Sequence, residues 1–267
     1  MAALVRSQSG VPAAAQRRGA AARRSAAAAT VVQRPRRVAL RVQAAAAGAA
    51  ARTADAYSRL KGAEVIRCSD GARLDIPSLW GPGERAVVVW ARTFGCPFCW
   101  ELAIQLRRDV KPQLDQQGVK LFLVAIGTLE RSKDFVGETG FPPDCLLADP
   151  DGATYAALGL TKGVRQTFFS QATPLSLLKR ATQSGGMDDL RNLVLPRWKP
   201  WQPPKLDQAL QQGGIFVFDG DRVAFSHYDE ATGAHADLGA VMDLARGLVA
   251  RSEAGAEACA AGGGAAA

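Results

Sequence analysis

Apolar residues follow two rhythms along this chain, solid short runs and a four-residue spacing, and the two alternate. Ala86–Trp90 (A-V-V-V-W) and Lys120–Ile126 (K-L-F-L-V-A-I) hold scarcely a polar residue, the pattern of strands buried on both faces. Between them Leu102, Leu106, Val110 and Leu114 recur at every fourth position, which predicts one amphipathic helix over 97–117. Leu129–Thr139 predicts a second helix, ended by Gly140 and the Pro142-Pro143 pair, and Cys145–Ala148 is short and apolar. Asp149-Pro150-Asp151-Gly152 then reads as a turn and Thr154–Leu158 as a short helix. Strand, helix, strand, helix in that order implies right-handed crossovers and a parallel sheet core.

Hairpins flank this unit. Upstream, after a short helix at Tyr57–Gly62, Glu64–Cys68 and Arg73–Ile76 enclose Ser69-Asp70-Gly71-Ala72, an Asp-Gly turn. Downstream, Ile215–Phe218 and Val223–Ser226 enclose Asp219-Gly220-Asp221. Asp237 is a good N-cap for a closing helix to Arg251, with Leu238, Val241, Met242, Ala245 and Leu248 inward. Residues 163–212 show little period, with Thr173-Pro174, Ser184-Gly185-Gly186 and the W-K-P-W-Q-P-P run from Trp198 to Pro204. Such a stretch is expected to be an insertion laid over the domain, anchored by Trp198 and Trp201, or else a substrate or partner surface. The expected organisation is therefore a disordered leader over 1–53, one domain over 54–251 containing that insertion, and a disordered tail over 252–267.

The formal charge of +8 belongs to the leader. Residues 1–53 hold ten Arg, no Lys and no acid, leaving 33 − 10 = 23 basic against 25 acidic residues beyond them. A nearly neutral domain offers no surface for nucleic acid or an anionic membrane. The leader itself is Ala and Arg with few bulky hydrophobes, which predicts an organelle transit peptide; the plainer alternative is a disordered basic arm. Its lack of acids suits both chloroplast and mitochondrion, although only three Ser in the first fifty residues is sparse for a plastid peptide. No apolar run approaches the roughly 20 residues of a membrane span. Five scattered cysteines, Cys68, Cys96, Cys99, Cys145 and Cys259, do not form an oxidised framework and point to a reducing compartment.

Cys96 and Cys99 stand apart because they open the first long helix directly after a buried strand. There the unpaired amides and the positive end of the helix dipole stabilise a thiolate, which lowers a cysteine pKa from about 8.5. Pro97 is welcome in a first turn whose amide has no partner. A thiolate that attacks a peroxide or a disulfide leaves a sulfenic acid or a mixed disulfide, and a second thiol one turn away resolves it. Zinc would need two more Cys or His ligands at compatible spacing, and the sequence does not arrange its other cysteines, His227 and His235 that way. Two cysteines serving as small core residues are the other alternative. His227 and His235 flank a loop after the last strand, where a hydrogen-bonded structural role is favoured over a catalytic one.

This order of elements is that of a thioredoxin fold, with the leading hairpin as a peroxiredoxin-like extension. R-T-F-G-C-P-F-C at Arg92–Cys99, D-P-D at Asp149–Asp151, Q-Q-G-G at Gln211–Gly214 and H-Y-D at His227–Asp229 resemble the peroxiredoxin-like 2 branch of the AhpC/TSA superfamily, in its plastid thioredoxin-like type. The resemblance runs from about Glu64 to Ala250. It implies a thiol oxidoreductase that reduces a peroxide or endoperoxide, with no cofactor or metal and with thioredoxin or glutathione as electron donor. Cys96 would attack, Cys99 would resolve, and Thr93 in T-x-x-C would hydrogen-bond the thiolate or peroxide. Arg92 would lower the thiolate pKa if its side chain turns toward the pocket, and is a solvated charge if it turns away. Two positions depart from related patterns: Val89 replaces the proline of P-x-x-x-T-x-x-C, and Gly213-Gly214 stand where thioredoxins carry a cis-proline. The C-P-F-C tetrapeptide also looks like glutaredoxins, so a glutathione-linked disulfide reductase is one alternative and a non-catalytic redox sensor or interaction module another.

Overall fold

A computed structural model describes residues 55–163 and 186–262, together with Leu178 and Thr182. The leader and most of the first half of the 163–212 stretch, including Thr173-Pro174, lie outside the described residues. The seven strands are β1 (Glu64–Arg67), β2 (Arg73–Asp75), β3 (Arg85–Thr93), β4 (Val119–Ile126), β5 (Leu146–Ala148), β6 (Gly214–Asp219) and β7 (Arg222–Tyr228). They form a single sheet in the order β2-β1-β5-β4-β3-β6-β7. β3, β4 and β5 run parallel, while β6 and β7 add antiparallel on one side and β1 and β2 on the other. Four adjacent strands, β4-β3-β6-β7, with the cysteine helix between β3 and β4, make the thioredoxin core. The mixed α/β thioredoxin architecture expected from the hydrophobic pattern is what the chain adopts.

Unbroken apolar runs are required because both faces of the sheet are covered. Side chains alternate along a strand, so Val87, Val89 and Ala91 enter one core with Leu121, Leu123, Ile215 and Val217. Val88 and Trp90 enter the other with Phe122, Val124, Phe216 and Phe218. Residues from Ala86 to Trp90 are at most 1 % exposed. The helix on the first core begins at Pro97 as the spacing predicts, and Leu102, Leu106, Val110 and Leu114 are all buried. It is not uniform, however. Pro97–Gln105 is α-helical, Leu106–Val110 is a π-turn, and Lys111–Gln116 is α-helical again. Pro112 supplies the reason: its nitrogen cannot donate to Arg108, and its ring crowds that carbonyl. The widened turn is closed by the Lys111 amide reaching back to Leu106.

Punctuation residues act where expected. Asp70 turns the first hairpin by accepting from the Ala72 amide at 3.0 Å, with Gly71 at φ +75°. The helix Leu129–Thr139 ends on Gly140 in the left-handed conformation. In the D-P-D turn, buried Asp149 caps the helix Ala153–Leu158, accepting from the Ala153 and Thr154 amides at 3.0 and 2.9 Å. Asp237 caps the closing helix through the Ala240 amide at 3.0 Å. That helix spans Leu238–Gly262 and so runs past the expected end at Arg251 into the stretch expected to be disordered. Alanine is the strongest helix former, which favours continuing the helix through an Ala-rich segment. The described part of 163–212 includes a π-turn at Leu190–Val194 and a 3₁₀ turn at Leu206–Leu210.

Candidate functional site

Cys96 is the N-cap of the helix Pro97–Gln105, extended at φ −84° and ψ 123°, with Pro97 in the first turn. Its carbonyl accepts the Cys99 and Trp100 amides at 3.0 and 3.2 Å. The strand delivers it there through an irregularity: the register between β3 and β4 shifts between Trp90 and Thr93, and such a shift re-aims side chains at a strand end. Arg92 is the residue re-aimed. Its Nη1 lies 3.7 Å from the Cys96 sulfur, its Nε donates to the Gln211 carbonyl at 2.9 Å, and its Nη2 donates to the Ala209 carbonyl at 2.6 Å. Of the two orientations open in the sequence, the guanidinium takes the one facing the sulfur.

Cys99 lies one turn on and is fully buried, its sulfur accepting the Arg92 amide at 3.2 Å. The Cys99 thiol donates to the Cys96 sulfur, and that hydrogen bond is the foremost reason Cys96 falls to about 6 from an ordinary 9.0. Burial pulls the other way, while the Arg92 charge, the Cys99 amide and the charge of His235 add to the lowering. Cys99 is pushed well above 9.0, by burial first and then by its thiolate neighbour. One sulfur is thus an anion and the other its proton donor. The remaining described cysteines are different: burial raises Cys68 to about 11 and also raises Cys145.

Thr93 closes β3, three residues before Cys96. It meets Cys96 through the backbone, its carbonyl accepting the Cys96 amide at 3.1 Å, and it lines a pocket with Phe94, Gly127 and Arg131. Cys99 and Arg92 are both hydrogen-bonded to the Cys96 sulfur. Val89 stands in the middle of β3, paired with Leu123 on one side and Ile215 on the other. A proline there could not serve both ladders.

Cys96 is only 6 % exposed, less open than a sulfur at the mouth of a sheet would be. The W-K-P-W-Q-P-P run packs on residues beside it. Trp198 Nε1 donates to the Gly95 carbonyl at 3.0 Å, Trp201 packs 5.2 Å from Trp100, and Arg131 stacks over Trp201 at 5.6 Å. A side chain on Gly95 would place its Cβ 2.0 Å from the Trp201 carbonyl, so the approach demands glycine. Q-Q-G-G closes the opposite side. The Gln211 side chain donates to the Leu160 and Thr161 carbonyls at 3.2 and 3.0 Å, fixing the backbone that offers its own carbonyl to Arg92. At Gly213 a Cβ would fall 2.0 Å from the Trp90 carbonyl. Gln211 and Ala209 were missed as site residues by sequence reasoning; the Q-Q-G-G motif was their only signal. His227 and His235 both meet the Asp229 carboxylate. Among the described residues no group of three His, Cys, Asp or Glu is placed to hold a metal ion, and no helix is long and apolar enough to cross a membrane.

The chain is similar to several known proteins. The family described as "AhpC/TSA antioxidant enzyme" matches residues 105–231, a span that opens after the two cysteines. "Thioredoxin-like protein AAED1, chloroplastic" of Arabidopsis thaliana is 31 % identical over 191 residues, 70 % of this chain and 70 % of that one. "Peroxiredoxin-like 2C" of Homo sapiens is 26 % identical over 165 residues, 60 % of this chain and 68 % of that one. Among solved structures, peroxidoxin BcpB from Mycobacterium tuberculosis aligns with a TM-score of 0.44 and 16 % identity over 70 % of this chain and 91 % of that one. The chain belongs to the AhpC/TSA superfamily, in its peroxiredoxin-like 2 branch, and so to the thioredoxin-like redox proteins.

Proposed function

We propose that the protein is a thiol peroxidase whose nucleophile is Cys96 and whose resolving thiol is Cys99. The observation that carries this reading is the acidified N-cap sulfur, held near 6 by the Cys99 thiol and then by Arg92 at 3.7 Å. With that value about nine-tenths of Cys96 is thiolate at neutral pH. The thiolate attacks one peroxide oxygen, the O–O bond breaks, the departing alkoxide takes a proton, and Cys96 is left as a sulfenic acid. The Cys99 sulfur, giving up its proton, then displaces hydroxide, so that water leaves and a Cys96–Cys99 disulfide forms. Two electrons from a thiol donor, thioredoxin or glutathione, return both cysteines to thiols. No cofactor or metal enters this scheme. An endoperoxide would be opened by the same attack on its O–O bond.

A peroxide is favoured over a protein disulfide as substrate. A glutaredoxin-like reductase receives its partner beside a cis-proline, whereas here Gly213 packs its backbone onto the Trp90 carbonyl. The arginine-rich, acid-free residues 1–53 support import into a chloroplast, in keeping with the chloroplastic relative, with the mitochondrion as the alternative.

The test is a mass measurement on the reduced protein, without residues 1–53, after one equivalent of hydrogen peroxide. Loss of two hydrogens, replaced in Cys99→Ser by gain of one oxygen, is the expected outcome. An unchanged wild-type mass overturns the scheme, and turnover of a glutathione mixed disulfide without turnover of peroxide would establish the glutaredoxin-like alternative. A fluorescent protein fused behind residues 1–53 should accumulate in chloroplasts; retention in the cytosol refutes the import reading.

A further inference from the structure

The end of β7 and the loop that follows it have no part in the scheme above, although they hold a buried carboxylate between two imidazoles, one of which, His235, shares a cleft with the cysteine helix. Asp229 is 1 % exposed. His235 Nδ1 lies 2.8 Å from its Oδ2, and His227 Nε2 lies 3.4 Å from its Oδ1. His227 Nε2 is also 2.9 Å from the Ala234 carbonyl; a carbonyl can only accept, so that nitrogen carries a proton. The same argument fixes the tautomer of His235. Asp229 is a carboxylate, because His235 and His227 more than offset the burial that would raise it, and so His235 Nδ1 is the donor. Nε2, which is shielded from solvent, is then the nitrogen that gains or loses a proton.

This cluster is tied to the reactive end of the sheet. The Asp229 amide donates to the Gly213 carbonyl at 3.0 Å, and a Cβ on Gly213 would fall 3.1 Å from Asp229 Oδ2 and 2.0 Å from the carbonyl of Trp90, two residues before Arg92. A Cβ on Gly233 would lie 3.4 Å from the Phe98 ring, inside C-P-F-C. With Glu101, Leu102 and Gln105 of the same helix, His235 lines a cleft of about 390 Å³.

We propose that His235, oriented by Asp229, is a positioning residue for the Cys96 thiolate: once protonated it gives the site a positive charge in addition to Arg92, so the reactivity of Cys96 follows the protonation of His235. The charged and titratable groups around the imidazole are Asp229, His227 and Glu230 at the end of β7, Glu101 across the cleft, Asp237 at the closing helix, and Arg92 with the two cysteines. Asp237 Oδ1 is committed to the Ala240 amide. The field of His235 is already among the influences that hold Cys96 low. The inference rests on Cys96 being the nucleophile, and adds what tunes it.

Coupling between two charges is reciprocal. His235 must lower the midpoint of Cys96, and the thiolate must raise that of His235 by the same amount. The first arm measures the iodoacetamide alkylation rate of Cys96 against pH in the reduced protein. His235→Gln should raise the midpoint of the rate curve, slow alkylation at pH 6 by up to about twofold and leave the rate at pH 9 equal or slightly higher, and His235→Lys should recover the wild-type midpoint. An unmoved midpoint, or equal slowing at every pH, overturns the proposal. The second arm needs no altered histidine at position 235. The chain has two histidines, so their NMR titrations are separable, with His227→Gln giving the assignment. Cys96→Ser should lower the midpoint of His235, and an unchanged midpoint again overturns the proposal. A wild-type Cys96 midpoint near that of free cysteine would instead defeat the nucleophile assignment itself, whereas a low midpoint indifferent to residue 235 defeats the tuning alone.

Discussion

Replacing Cys99 by alanine removes the strongest of the influences that acidify Cys96. The Cys99 thiol donates to the Cys96 sulfur, and this hydrogen bond exceeds the Arg92 charge in lowering Cys96 to about 6. A hydrogen bond to a charged group contributes about 1.5–3 kcal/mol, and one pKa unit corresponds to about 1.4 kcal/mol. The midpoint of Cys96 in Cys99→Ala should therefore rise by roughly one to two units. At pH 6 the thiolate fraction falls from about a half to between about a tenth and a hundredth, while each thiolate becomes about threefold more nucleophilic per unit, so alkylation slows by about two- to sixfold. At pH 9 the order reverses, because a more basic thiolate is a better nucleophile, by about threefold per unit. Crossing rate curves separate this cause from a blocked pocket, which would slow alkylation at every pH. Cys99→Ser keeps both the donor and an acceptor for the Arg92 amide, so its curve should stay close to wild type. An alanine curve that overlays the wild type, or a serine curve that follows alanine, would refute the reasoning.

Arg92→Met deletes the 3.7 Å contact with Cys96 and the bonds to the Ala209 and Gln211 carbonyls; alkylation at pH 6 should slow by about two- to threefold and urea denaturation should show a loss of about 1–2 kcal/mol. Gly95→Ala sets a Cβ 2.0 Å from the Trp201 carbonyl, so the 198–204 run must lift, with a red-shifted tryptophan emission and a loss of about 1–3 kcal/mol; an unchanged spectrum and midpoint would show that the run is not seated there. The Asp229 cluster sets a pH window for stability. His227 is raised above 6.5, first by its bond to Asp229, so its contribution is complete below about 6.5 and is lost as pH rises through the folded value. Asp229 is held below 3.8 in spite of burial, so its contribution is present above about 3.8 and is lost as pH falls through the folded value. Asp229→Asn should cost about 2 kcal/mol near pH 5.5 and less near pH 8, read from urea midpoints; a loss independent of pH counts against the cluster.

What could be read from the sequence was what neighbouring residues decide among themselves. Val87, Val88 and Val89 announce a strand because a sheet covered on both faces leaves no place for a polar side chain, and Gly140 ends a helix because its φ of +65° is costly for any other residue. The N-cap place of Cys96 belongs to the same class, since an apolar strand followed by Pro97 leaves little choice. The π-turn at Leu106–Val110 was present in Pro112, but a hydrophobic spacing of four passes over it: Leu106, Val110 and Leu114 stay buried whether the turn is α or π. The extension of the closing helix was hidden for the opposite reason. Beyond Arg251 the run of Ala and Gly gives no hydrophobic period to read, although Ala is the strongest helix former.

The orientation of Arg92 was undetermined for a more instructive reason. Strict alternation would have assigned it a face from Val88 and Trp90, but the register shifts between Trp90 and Thr93, which breaks the count where it matters. What holds the guanidinium is farther still: the carbonyls of Ala209 and Gln211 are 117 and 119 residues away in sequence. Those carbonyls carry no side-chain signature, because any residue supplies a carbonyl. What does carry one is the scaffold that presents them. Gln211 spends its side-chain amide on Leu160 and Thr161, and Gly213 permits the backbone to close on Trp90. Q-Q-G-G is therefore best understood as the far half of the cysteine site. Its glutamine and glycine do no chemistry themselves, yet replacing Gly213 would move the Gln211 carbonyl, release Arg92, and raise the Cys96 midpoint without touching either sulfur.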